Sequence, residues 1–70
     1  MIKVDIQMYY SDLIQAYVNK EKFERDIKNV ELGYTIYVEV VDIKGIRIKF
    51  NPKYVAYIKY SNGVEDENTL

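Results

Sequence analysis

Tyrosines and cations alternate through the second half of this chain, and they are the residues whose types and spacing point to a chemistry. Tyr37, Arg47, Lys49, Tyr57 and Lys59 fall in strand-like runs, at positions that would share one face of a sheet. Phenol rings supply large amphipathic contact area at low entropic cost, which suits a protein interface. The same rings beside ammonium and guanidinium groups suit a single-stranded nucleic acid, through base stacking and phosphate contact. Other chemistries lack their groups. The chain has no Cys and no His. Thiol nucleophiles, thiolate metal sites and His-based triads are therefore absent. Ser11 and Ser61 fall in turn-like stretches without an evident base. Gly33, Gly45 and Gly63 are isolated and build no phosphate-cradling loop. Asp5 and Asp12 read as solvated surface groups, and Glu65, Asp66 and Glu67 as a charged chain end, not a metal cluster. The expectation is a protein that is not an enzyme and needs no cofactor or metal.

The elements that must position these residues lie between Tyr34 and Tyr60. Three β-branched and aromatic runs are separated by two turn signals, the pattern of an antiparallel meander. A three-residue loop at Ile43-Lys44-Gly45 places glycine where a left-handed backbone is wanted. It sets Val40 opposite Ile48 and Val38 opposite Phe50 on one face. Val41 opposite Arg47, Glu39 opposite Lys49, and Tyr37 opposite Asn51 make up the other face. A two-residue loop at Lys44-Gly45 would mix the faces, so the longer loop is preferred. Asn51-Pro52 opens a second turn, because proline cannot sit in a central strand. A loop over residues 51–53 would pair Phe50 with Tyr54, Ile48 with Ala56 and Ile46 with Ile58, leaving Val55, Tyr57 and Lys59 outside. The third position there is Lys53, not glycine, which leaves room for a longer turn or a bulge.

Residues 2–9 alternate, with Ile2, Val4, Ile6 and Met8 on one side, and read as a half-buried strand. Residues 10–29 admit two readings. As one helix from Ser11, the apolar stripe runs into Lys20 and Glu24. As a hairpin turning at Tyr10-Ser11-Asp12, the apolar face stays whole, with Met8 opposite Ile14, Ile6 opposite Ala16 and Val4 opposite Val18. The second reading is preferred. Asn19 then caps a helix from Lys20 to about Asn29, with Val18 and Phe23 at staple spacing. Phe23, Ile27 and Val30 form its apolar stripe, and Glu21–Arg25 and Glu24–Lys28 its i, i+4 pairs. Gly33 closes this part of the chain.

The expected fold is α+β, β-β-α-β-β-β: a single antiparallel sheet of about five strands with one short helix packed on one face. The helix would cover Ile2, Val4, Ile6, Ile36, Val38, Val40, Ile48 and Ile58, with Tyr34, Tyr54 and Tyr60 completing that side. One domain would span residues 1–60, followed by a flexible acidic end over 61–70. With 70 residues, net charge −1 and no apolar run near the roughly 20 residues of a membrane helix, the chain reads as cytoplasmic with no membrane partner. The other sheet face would carry the partner-binding set Tyr37, Val41, Arg47, Lys49, Val55, Tyr57 and Lys59.

Residues 18–29, Val-Asn-Lys-Glu-Lys-Phe-Glu-Arg-Asp-Ile-Lys-Asn, and residues 44–58, Lys-Gly-Ile-Arg-Ile-Lys-Phe-Asn-Pro-Lys-Tyr-Val-Ala-Tyr-Ile, give the chain its style. In this it resembles small proteins of low-GC Gram-positive bacteria and their phages. That resemblance implies binding of a host or phage partner. Ile36 to Tyr54, through Val-Val-Asp-Ile-Lys-Gly and Pro-Lys-Tyr-Val, also resembles the carbon-storage-regulator RNA-binding family. The helical segment before it and the missing N-terminal strand signature depart from that family's pattern. The function expected from the residues is binding of a protein partner, or of a second copy as a homodimer, through the tyrosine-rich face or a free strand edge. The alternative is single-stranded nucleic-acid binding by the same face.

Overall fold

The structure is a computed structural model whose described residues are 1–61. The acidic end expected beyond β5 lies outside them. Strand β1 is Ile2–Met8, β2 Leu13–Val18, helix α1 Lys20–Glu31, β3 Val38–Val41, β4 Arg47–Phe50 and β5 Val55–Ser61. The chain is thus α+β, with five antiparallel strands and one helix in the order β-β-α-β-β-β. The strands divide into a three-stranded sheet, β2-β1-β5, and a two-stranded sheet, β3-β4. One bridge, Ala16 to Asp42, joins β2 to β3, with Ile43 N–H donating to Gln15 C=O at 2.9 Å.

The β1–β2 register sets Ile6 opposite Ile14 and Val4 opposite Ala16. This lies two residues from the expected pairing, which leaves every side chain on its expected face because strand side chains alternate with period two. The slip is taken up by a longer loop over residues 9–12. Gln7 closes that loop by donating from Nε2 to the carbonyls of Met8 and Ser11 at 3.0 and 3.1 Å.

Asn19 caps α1 as expected, its side-chain oxygen accepting from Lys22 N–H at 2.9 Å. Val18 and Phe23 are both buried, and Ile27 and Val30 pack against the same core. The expected Glu21–Arg25 and Glu24–Lys28 pairs do not form. The i, i+4 ion pair that does form among the described residues is Lys22–Asp26, at 2.7 Å. Gly33 ends the helix at φ +85°, donating to Val30 C=O at 3.0 Å while Tyr34 N–H reaches Asn29 C=O at 2.9 Å. This paired C-terminal closure needs a residue that tolerates the left-handed region. It also draws Thr35 N–H toward Asn29 C=O at 3.4 Å. Residues 34 and 35 are thereby tied to the helix end, and β3 starts only at Val38.

The β3–β4 hairpin has the expected register: Val38 with Phe50, Glu39 with Lys49, Val40 with Ile48 and Val41 with Arg47. Gly45 sits at φ +85° and donates to Asp42 C=O at 2.9 Å. The Asp42 carboxylate accepts from the N–H groups of Lys44 and Ile46 at 2.9 and 2.8 Å, which fixes the loop from inside.

The second turn corrects the meander. Asn51 caps a short 3-10 turn over Pro52–Tyr54, accepting from Lys53 N–H at 2.9 Å. The chain crosses over to β1 instead of folding back on β4, and Tyr9 N–H donates to Tyr54 C=O at 2.9 Å. Strand β5 then pairs with β1, with Ile6 opposite Ile58, Asp5 opposite Lys59 and Gln7 opposite Tyr57. The pairs expected between β4 and β5, Ile48–Ala56 and Ile46–Ile58, do not exist. A three-residue hairpin needs a left-handed third residue, and Lys53 does not supply one. The register shifts between Gln7 and Met8, so Ala56 is an extra, bulged residue.

The core lies between the two sheets and α1. Val4, Ile6, Ala16, Val18, Phe23, Val38, Val40 and Phe50 are buried. Phe23 of α1 sits 6.4 Å from both Phe50 and Tyr60 between ring centroids. Ile36 was expected in this core but is exposed. It falls in the segment that precedes β3. No helix among the described residues is long and apolar enough to cross a membrane.

Phe23 joins the helix to both sheets, so Phe23→Ala is expected to cost about 3–5 kcal/mol in chemical denaturation. Asn19→Ala is expected to cost about 1 kcal/mol in the same assay.

Candidate functional site

The outward faces are built by the strand alternation, and the seven expected partner-binding residues separate into distinct places. Arg47 and Lys49 project from the outer face of β4. Tyr37 precedes β3, and together with Lys49 it lines an open groove of about 680 Å³. Met8, Leu13, Ile14, Ile48 and Tyr54 form most of the apolar wall of that groove, and Ser11, Asp12 and Asn51 its polar rim. It lies between β4 and the β1–β2 hairpin. Val41 lines a different groove, of about 510 Å³, with Tyr17 and the first turns of α1.

Tyr57 and Lys59 lie on the outer face of the three-stranded sheet, with the Lys59 ammonium 5.5 Å from the Tyr57 ring centre. Their strand neighbours are Gln7 and Asp5. The strands β1 and β2 stand between this pair and β3–β4, because β5 pairs with β1 and not with β4. Val55 belongs to neither group. The bulge at Ala56 reverses the alternation, and Val55 packs against the core.

The ion pair expected between Glu39 and Lys49 goes instead to Arg47, whose Nε lies 3.7 Å from a Glu39 carboxylate oxygen. Glu39 and Arg47 are diagonal neighbours across the hairpin, within reach of the longer side chain. The Arg47 side chain is 81% exposed, so solvent screens this contact.

Tyrosine placement departs most from expectation. Tyr34 and Tyr54 were expected to complete the core, and both are exposed. Tyr60 meets it edge-on, with its ring against Phe23. Partial burial, and then the nearby Glu24 carboxylate, hold the Tyr60 phenol above its ordinary value of 10.0. Tyr54 is the groove residue that sequence reasoning missed. Tyr9 and Tyr10 stand exposed in the β1–β2 loop, with ring centroids 6.2 Å apart. The Lys53 ammonium lies 6.0 Å from the Tyr54 ring centre.

Among the described residues no group of three carboxylates comes together as a cation site. Nothing matches the chain among protein-family models, curated proteins or solved structures.

The raised Tyr60 value predicts a stability change. An unfolded chain gives up this phenol proton near 10, before the folded chain does. Tyr60's contribution is therefore full below pH 10 and declines as pH rises toward the higher folded value. Absorbance titration of tyrosinate should show that Glu24→Gln lowers the Tyr60 midpoint, and the loss of stability across that alkaline range should shrink accordingly.

Proposed function

We propose that this chain is a small non-catalytic interaction protein that binds a protein partner, or a second copy of itself, through its exposed tyrosines or a free strand edge. One observation carries this reading. All eight tyrosines are exposed, from 37% for Tyr60 to 91% for Tyr10. Leu13, Val41, Ile43 and Ile46 add aliphatic surface beside them. Keeping large rings in water contributes nothing to the stability of so short a chain, whereas covering them on association does.

The core is complete without Tyr37 and Tyr57, so removal of these two rings is expected to leave the fold intact. Tyr37→Ala tests the groove and Tyr57→Ala the outer sheet face, and each loss at a true contact should cost about 2 kcal/mol of binding. Light scattering of the parent chain first decides whether self-association or capture of another protein is the assay. The double variant should then retain its circular dichroism spectrum and lose that association. Unchanged association with both rings gone would reject the reading.

A second reading, single-stranded nucleic-acid binding, has its own support. Residues 43–61 carry Lys44, Arg47, Lys49, Lys53 and Lys59 and no carboxylate. Tyr54 and Tyr57 each lie beside one of these ammonium groups. It predicts oligonucleotide affinity that falls steeply with salt, as released counterions require. Weak, salt-independent binding by titration in two ionic strengths would dismiss it.

A further inference from the structure

We infer that the free edge of β4 is the docking site for an extended peptide strand of alternating acidic and apolar residues. The inference rests on the interaction-protein reading and names the partner's chemistry.

The edge follows from the hydrogen-bond alternation of an antiparallel ladder. Asp42 N–H donates to Ile46 C=O at 2.8 Å, so that pair bonds across the hairpin. Two residues on, Val40–Ile48 and then Val38–Phe50 are the bonded pairs. Arg47 and Lys49 fall between them, and their N–H and C=O groups point away from β3. The β2 contact fits this phase, since Ile43 turns its N–H to Gln15 on the far side of β3. Nothing among the described residues pairs with the outer edge of β4, which is last in its sheet.

The surroundings of that edge select the occupant. Arg47 and Lys49 stand on the outer face of β4, with Lys49 also reaching the rim of the groove that Ile48 enters from the other face, walled by Leu13, Ile14 and Tyr54. A strand added along β4 would turn alternate residues to these two environments. Carboxylates on one side would meet Arg47 and Lys49, and aliphatic side chains on the other would enter the groove. The same cations oppose pairing of β4 with a second β4, because like charges would then stand across from one another. Asp12 and Lys49 are the charged residues in the groove lining and offset one another, so its mainly apolar wall of Leu13, Ile14, Ile48 and Tyr54 selects the aliphatic side chains. Nucleic acid would satisfy the cations but would leave the free amides and the aliphatic wall without partners.

The test uses the full chain and three blocked synthetic peptides: one of alternating valine and glutamate, the same with lysine for glutamate, and the first with alternate amides N-methylated. Isotope-edited titration should place the glutamate peptide at the Arg47 and Lys49 amides, with at least tenfold weaker binding of the other two. Arg47→Glu plus Lys49→Glu should invert the charge preference. Because Glu39 lies opposite Lys49, Arg47→Gln plus Lys49→Gln serves as the variant that avoids a new repulsion, and it should lose most of the affinity. Equal binding of the N-methylated peptide, or tighter binding of a poly-thymidine oligonucleotide at the same amides, would overturn the inference. Loss of natural-partner binding in the Tyr37 and Tyr57 variants is read separately, so failure of the peptide leaves that outcome distinct.

Discussion

Strand β1 has to satisfy neighbours on both of its edges and a core on one of its faces, and the rest of the structure is arranged around that requirement. Val4 and Ile6 are fully buried, in the one strand among the described residues that is paired along both edges. Strand β2 covers one edge through a hairpin. The other edge is covered by the last strand of the chain, so the two ends of the described chain meet along β1. Closing the fold in this way brings together residues separated by nearly the whole sequence. It also removes β5 from the neighbourhood of β4. The edge of β4 is left open as a direct consequence of β1 being central.

That arrangement explains why the chain can expose so much aromatic surface. Phe23 reaches both sheets from the helix, and eight buried residues suffice to join them. Apart from Tyr60, which meets Phe23, the tyrosines are left for the loops and the outer faces. Their polar tips tolerate water while their rings remain available for contact. Arg47 and Lys49 stand on β4 and Lys59 on β5, each a terminal strand of its sheet. This is a placement that discourages unguided edge pairing and selects partners by charge.

Local signals in the sequence were read correctly where one residue type had one physical role. Gly45 fixed the three-residue loop and with it the whole β3–β4 register, because only that loop kept the apolar residues on one side. Asn19 and the Val18–Phe23 spacing defined the start of the helix. What could not be read was which strand lies beside which. Alternation tells the face of a residue but not its neighbour, so Ile58 could as well oppose Ile46 as Ile6. The bulge at Ala56 and the helix closure at Gly33–Tyr34 are single-residue events that leave the apolar pattern unchanged. Each nevertheless moved a candidate residue: Val55 into the core, and Tyr34 and Ile36 out of it. The single surface expected of Tyr37, Arg47, Lys49, Tyr57 and Lys59 became two because β5 lies beside β1 and not beside β4.

The central position of β1 and the open edge of β4 are read together by amide hydrogen exchange, residue by residue, on the isolated chain. The account predicts slow exchange at Ile48, Phe50, Tyr57 and Lys59, whose N–H groups bond across their ladders. It predicts fast exchange at Arg47, Lys49, Ile58 and Tyr60, whose N–H groups face outward. Protection of Arg47 and Lys49 comparable to that of Ile48 and Phe50 would contradict it, since those amides would then already be paired.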